Sequence, residues 1–256
     1  MKLDKKISVI IPTYNSSAYI RRAIESVKKQ TYSNWEIIII DGGSSDNTLN
    51  LLKQFDKSKI KIFYLHKENG LAATRYYGIC KSSGSYVAFL DSDDFWDKNK
   101  LLYQIRSIGL NNKFVCTNFT LKNKKKIMHV NIEKDILRLN DIIYNRPIAL
   151  SSVMAEKRII KNIIKNKIKN IYAEDYLWWI SILKAGHYFS VIKKNLTFIS
   201  YHNHNRSIKF LANYLSLIKI YRNELGFNYL KIIVLFFLLF IKTFKKNIFK
   251  FKAFAK

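Results

Sequence analysis

Residues 86–94 constrain the fold more than any other stretch of the chain. Tyr86 to Leu90 is an apolar run of strand length, and it passes directly into Asp91-Ser92-Asp93-Asp94. Carboxylates at i, i+2 and i+3 after a buried strand are how an open α/β sheet presents hard oxygen ligands at its carboxyl edge. Two acids at such a strand end repel each other unless a cation lies between them. The same residues can also be read as a cap for the next helix, with Asp94 as the capping side chain.

The preceding sequence supplies the sheet. Ile7 to Ile11, Glu36 to Ile40 and Ile60 to Leu65 read as three further strands. Ile20, Ala23, Ile24 and Val27 fall at i, i+3, i+4 and i+7, one face of a helix entered through Ser16 and Ser17. Asp46-Asn47-Thr48 can cap a second helix through Leu49, Leu52 and Phe55, and Leu71 to Cys80 makes a third. Strands alternating with helices indicate βαβ units around a mostly parallel sheet. Beyond Asp94 the alternation loosens. A helix from Lys98 to Ile108, a strand from Phe114 to Leu121 and a lysine-rich turn at Lys122 to Lys126 come first. A loop at Pro147, a short strand at Ser151 to Ala155 and a helix from Tyr176 to Ala185, stopped by Gly186, follow. From Ile208 the chain reads as helix to near its end.

At 256 residues the chain can bury a substantial core, and it reads as one catalytic domain with a C-terminal appendage. Its 45 basic and 18 acidic residues give a net charge of +27. That balance suits nucleic acid, an anionic membrane surface or a phosphorylated substrate. Lysine-rich composition also follows from A- and T-rich codons, so the distribution of charge carries more information than its total. No nucleic-acid recognition motif is visible, and the basic C-terminal residues follow an apolar helix instead. Cys80 and Cys116 lie in apolar contexts without a CxxC, which suggests buried free thiols in a reducing compartment. Met1 to Lys6 has no apolar h-region, so a signal peptide is not expected.

Several further segments can meet at the carboxyl edge. Pro12-Thr13-Tyr14-Asn15 offers an aromatic face and an amide, or is an ordinary strand-to-helix turn. In Asp41-Gly42-Gly43-Ser44-Ser45, Asp41 can accept from an imide N–H while the glycines allow close approach of a planar base; a simple capped turn is the alternative. Arg75 can steady a diphosphate or nucleobase, or face solvent. Glu174-Asp175 opens a helix, where acids suit the macrodipole and where a general base would also be well placed.

Taken together, Ile7 to Asn15, Asp41 to Thr48, Arg75 and Phe89 to Asp94 resemble the signatures of the inverting glycosyltransferases of family 2, of the bacterial surface-polysaccharide type. The likeness is strong over residues 5–110 and looser over 147–207. It implies the GT-A fold and transfer of a sugar from a nucleotide diphosphate sugar, expected to be a UDP-sugar, to a saccharide acceptor. It also implies roles for particular residues. Pro12, Tyr14, Asn15 and Asp41 match the nucleobase and ribose pocket, Arg75 a basic nucleotide contact, and Asp91 an acid near the ribose. Asp93 matches the ligand of a divalent metal, Mg or Mn, with Asp91, His202 or His204 as further candidate ligands. Asp175 matches the catalytic base. Tyr76 stands where relatives often have Asn. Competing expectations are a GT-A-like nucleotidyltransferase, which would attack phosphorus, and a basic nucleic-acid-binding protein.

The implied domains are a GT-A catalytic domain over 1–207, with a donor half (1–110) and an acceptor half (111–207), and a helical extension over 208–256. In that extension Leu225 to Ile241 carries one charge, Lys231, over about 17 residues, the lower limit for a membrane span. Six lysines and no acid follow between Lys242 and Lys256, interleaved with four phenylalanines. Basic residues alternating with aromatics suit an anchor on an anionic cytoplasmic leaflet. The expected location is therefore peripheral on the inner face of the cell membrane, within reach of a lipid-linked acceptor.

Overall fold

The computed structural model describes residues 4–66, 69–108, 112–123, 126–143, 146–167, 172–200 and 210–237. Three βα units open the chain: β1 (Ile7–Thr13), α1 (Ile20–Lys28), β2 (Trp35–Asp41), α2 (Thr48–Lys53), β3 (Ile60–Tyr64) and α3 (Gly70–Lys81). Then come β4 (Tyr86–Phe89), β5 (Phe95–Trp96), α4 (Lys100–Ser107), β6 (Phe114–Lys122), β7 (Ile127–Val130), β8 (Ile136–Leu137) and α5 (Leu139–Ile143). The remaining elements are β9 (Met154–Glu156), α6 (Lys157–Ile164), α7 (Glu174–Lys184), β10 (Phe189–Ser200) and α8 (Phe210–Leu225).

One sheet runs in the order β3-β2-β1-β4-β9-β6-β10-β5. Pairs β3–β2, β2–β1 and β1–β4 are parallel, and β9 enters antiparallel between β4 and β6. Side chains alternate across a strand, so β1 feeds two cores. Val9 and Ile11 join Ile20, Ile24 and Val27 of α1 on one face, while Ile10 joins Ala72 and Ile79 of α3 on the other. Each fully buried Ile contributes about 1.5–3 kcal/mol, which is why these continuous apolar runs settle at the sheet's centre. Gly78 lets α3 lie close: a Cβ there would stand 2.7 Å from Ile10 Cγ2.

Several local expectations are corrected. Ser16 and Ser17 do not cap α1, whose N-cap is Tyr19 with no side-chain cap bond. Asp94 does not cap α4, which starts only at Lys100; the Asp94 carboxylate is buried in long-range contacts. Residues Leu150–Ser152 form a 3-10 turn, so the strand expected over Ser151 to Ala155 begins later. The helix expected from Ile208 breaks after Leu225, where Gly226 takes φ +66, and resumes over 229–237. Cys80 is exposed; Cys116 is buried as expected. Among the described residues, no helix is long and apolar enough to cross a membrane.

Candidate active site

Because β1, β2 and β4 are parallel neighbours, the loops after Thr13, Asp41 and Phe89 emerge at one edge. Asn15 adopts φ +47, a left-handed conformation that Asn tolerates through local side-chain bonding. Its Oδ1 accepts from the Ser45 N–H at 2.8 Å, and its own N–H donates to Ser44 Oγ at 2.9 Å. Asp46 ties the same loops: Oδ1 accepts from the Thr48 N–H (3.0 Å) and Oδ2 from the Ser17 N–H (3.0 Å). Burial works against the Asp46 charge, yet the donors of Thr48 and Ser17 prevail and bring its pKa down to about 2.

Asp41 is fully buried. Its Oδ1 accepts from the N–H groups of Gly43 and Ser44 at 2.9 and 2.8 Å, and Ser44 Oγ donates to Oδ2 at 2.6 Å. The carboxylate that was expected to meet a base is folded into its own loop, shaping the edge from beneath. Pro12 is buried within β1 opposite Ile40, whereas Tyr14 is 42 % exposed and Asn15 is exposed beside it.

Arg75 points inward, not to solvent. Its guanidinium is 4 % exposed and reaches Asp91 Oδ1 at 2.6 Å and Glu174 Oε1 at 2.7 Å. Burial opposes the charge, but Asp91, Glu174 and Asp175 outweigh it and raise the Arg75 pKa. Its Nε has no partner among the described residues. One residue of α3 thereby joins the acid after β4 to the start of α7, bringing Glu174 and the adjacent Asp175 to the edge where Asp91 stands.

Asp94 is the buried member of its cluster. Ser151 Oγ donates to Oδ2 at 2.6 Å and the Ser200 N–H to Oδ1 at 3.0 Å. Burial, then the nearby Asp93 and Asp91, push its pKa well above the usual carboxylate value. Ser151 Oγ also accepts from the Asp91 N–H at 3.1 Å, and Arg22 donates to the Asp93 carbonyl at 2.6 Å and to Ser200 Oγ at 2.7 Å. Ser200 and Arg22 were not singled out from the sequence, and Ser151 was given no chemistry there. Their partners lie 57 to 178 positions away, and no local pattern marks them.

Asp175 is half-buried at the start of α7, its Oδ1 accepting from the Tyr176 N–H at 2.8 Å. Burial raises its pKa and Asp91 adds to the rise, against the pull of Arg75 and Arg146. A carboxylate pushed upward holds a proton better, as a general base must.

The donor set suits a hard divalent cation. Asp91 and Asp93 are half-exposed oxygen donors two residues apart. Two carboxylates leave positions for diphosphate oxygens and water, as Mg2+ and Mn2+ sites require. Among the described residues no group of three His, Cys, Asp or Glu could hold a metal. His202 and His204 lie outside the described residues.

The architecture is a GT-A-like α/β fold. It matches S. aureus TarS in complex with UDP-GlcNAc with a TM-score of 0.72 at 21 % identity, over 91 % of this chain and 70 % of that one. The mannosyltransferase PcManGT from Pyrobaculum calidifontis, in complex with GDP-Man and Mn2+, matches with a TM-score of 0.67 at 14 % identity, over 88 % and 65 %. Sequence carries the assignment further. Residues 8–148 match the model of Glycosyl transferase family 2. The chain is 35 % identical over 182 residues, 71 % of each protein, to the E. coli UDP-Glc:alpha-D-GlcNAc-diphosphoundecaprenol beta-1,3-glucosyltransferase WfgD. It is 32 % identical to the putative teichuronic acid biosynthesis glycosyltransferase TuaG of Bacillus subtilis, over 79 % of this chain and 81 % of that protein. The chain belongs to glycosyl transferase family 2 and is a glycosyltransferase, which displaces the nucleotidyltransferase and nucleic-acid readings.

Proposed function

We propose that this enzyme transfers a sugar, with inversion, from a UDP-sugar to a lipid-linked saccharide during synthesis of a bacterial surface polysaccharide. The observation that carries the proposal is the Arg75 bridge, which holds the Asp91 loop and the start of α7 at one edge. The names of the E. coli and B. subtilis relatives support the donor and acceptor classes. Residues 1–110 form the donor half and 111–207 the acceptor half, with 208–256 as an appendage. Such an acceptor puts the enzyme at the inner face of the cell membrane.

In this reading Tyr14 and Asn15 line the base and ribose, over a floor set by Pro12 and Asp41. Asp91 faces the ribose and is kept in place by Arg75. Asp93, with Asp91 beside it, would hold Mg2+ or Mn2+, which when bound neutralises charge on the departing diphosphate. Asp175 takes the proton of the acceptor hydroxyl as that oxygen bonds to the anomeric carbon. The bond from that carbon to the diphosphate oxygen breaks on the opposite side, releasing UDP.

Incubation of the purified chain with a panel of nucleotide sugars and a diphosphate-lipid saccharide tests this. UDP release with a lengthened acceptor is expected, and pyrophosphate as product would overturn it. Asp175→Asn is expected to keep nucleotide binding while lowering turnover at least 100-fold. Parallel loss of both would remove Asp175 from the chemistry.

A further inference from the structure

The helix over 229–237 is apolar on both sides. At 3.6 residues per turn, Ile232, Leu235 and Phe236 share its inner face. Ile232 and Leu235 are buried, and the Phe236 ring lies 5.0 Å from that of Tyr214 and 6.0 Å from that of Tyr221. The turn before it is fixed too, since the Phe227 ring stacks on Tyr221 at 5.9 Å. The helix is therefore held to the body of the enzyme with a defined side outward.

That outer side consists of Tyr229, Leu230, Ile233, Val234 and Phe237, within an arc of roughly 140°. Leu230 is 70 %, Ile233 64 % and Phe237 62 % exposed. A contiguous apolar face of this kind marks an interaction surface. Its rim is cationic: Arg222 packs against Tyr229 at 4.7 Å, and Lys231 lies 4.0 Å above Phe227. The sequence that follows adds six lysines and no acid, with five more phenylalanines. A second copy of so basic a chain would bring like charge to the same rim. The occupant must combine an apolar interior with an anionic skin.

We infer that this face seats in the headgroup layer of an anionic bilayer, with the helix lying in the plane of the interface. The inference deepens the lipid-linked acceptor reading by naming the surface that meets lipid, yet it is measured without any sugar transfer.

The full chain is mixed with phosphatidylcholine vesicles with or without phosphatidylglycerol and sedimented. Its partner is the triple variant Leu230→Ser, Ile233→Ser, Phe237→Ser, whose substituted side chains face outward and whose melting is expected to match the parent. The parent is expected to sediment with the anionic vesicles only, and the triple variant to lose about 100-fold in partitioning. Transfer to a water-soluble acceptor analogue should be equal in both. A parent that ignores anionic vesicles, or a triple variant that binds as well as the parent, overturns the inference. So does a concentration-dependent dimer that the variant abolishes while vesicle binding persists, which would assign the face to a second copy. Vesicle binding without transfer would support this surface and sink the catalytic reading instead.

Discussion

Replacing Arg75 with Met removes the guanidinium that meets Glu174 Oε1 at 2.7 Å, where both side chains are 4 % exposed. Breaking a buried pair from one side costs about 3–5 kcal/mol, because the remaining charge is neither hydrated nor compensated. For a domain stable by about 5–15 kcal/mol this is a large share. Asp91, the other partner, is 35 % exposed at its side chain and can recover water, so most of the loss traces to Glu174. Adding Glu174→Gln should then recover about 2 kcal/mol of what Arg75→Met loses, since the buried carboxylate charge goes with its partner. Urea unfolding followed by far-UV circular dichroism measures the single and double variants. The cost should change little between low and high salt, because a buried pair is poorly screened. If Arg75→Met costs under 1 kcal/mol, or if the second substitution simply adds its own penalty, Arg75 is not the internal bridge described. Arg75→Lys should also cost about 2 kcal/mol, since one ammonium cannot reproduce the planar fork that meets two carboxylates.

Other perturbations test other parts of the fold. Lys100 is fully buried, its Nζ donating to Gln104 Oε1 at 2.7 Å and lying 3.9 Å above the Trp96 ring; burial holds its pKa well below 10.5. The unfolded chain thus takes the proton more readily, and stability should rise with pH from the folded value up to about 10.5. Lys100→Met should abolish that rise and stabilise the neutral-pH protein by up to about 2 kcal/mol; a loss above 1 kcal/mol in unfolding titrations would refute this. Glu36 accepts from Ser8 Oγ at 2.7 Å and the Ser83 N–H at 2.6 Å, with Lys6 and Lys61 nearby; despite burial, these donors lower its pKa far below 4.5. Its contribution is present above about pH 4.5 and is lost as the pH falls, so Glu36→Gln should cost about 2 kcal/mol at neutral pH and flatten the acid limb of the melting profile. Gly84→Ala would set a Cβ 2.6 Å from the Lys6 carbonyl oxygen, an immobile backbone atom, and should cost about 2 kcal/mol in chemical denaturation. Gly43→Ala meets nothing within 4 Å and should cost only the about 1 kcal/mol of its positive φ.

What the sequence disclosed follows from which forces act locally. β1, β2 and β4 lie inside a parallel sheet covered on both faces, so their burial is written as unbroken apolar runs between loops. β10 was not read because its pattern is mixed: Lys193 and Lys194 are exposed in mid-strand, where the register with β6 also shifts. β9 is three residues long, and the strand expected over Ser151 to Ala155 overlaps only its first two because Leu150–Ser152 form a 3-10 turn. At the site, the clustering of acids after β4 was legible, but their sorting was not. Asp94 became the buried one because Ser151 and Ser200 reach it from 57 and 106 positions away. Arg75 turned inward for the same kind of reason, its partner Glu174 being 99 positions distant.

That sorting divides the acids of the edge into two kinds. Asp41, Asp46, Asp94 and Glu174 accept from loop N–H groups, serines or Arg75, which satisfy them without a ligand. Asp91, Asp93 and Asp175 stay half-exposed. Loops whose hydrogen bonds are already made do not lose that order again when a nucleotide arrives, so binding energy is not spent on folding the cleft. The exposed acids carry the opposite consequence. Burial, and then the charge of Asp93 and Asp91, favours protonation of Asp94. Removing Asp94 by substitution with Asn would therefore lessen the repulsion while keeping an acceptor for Ser151, whereas Ala would leave that hydroxyl without its partner. A greater loss of stability in Asp94→Ala than in Asp94→Asn, by about 1–2 kcal/mol, follows from that difference alone. Equal losses would mean that Asp94 acts through its charge and not through the hydrogen bonds that fix the loop.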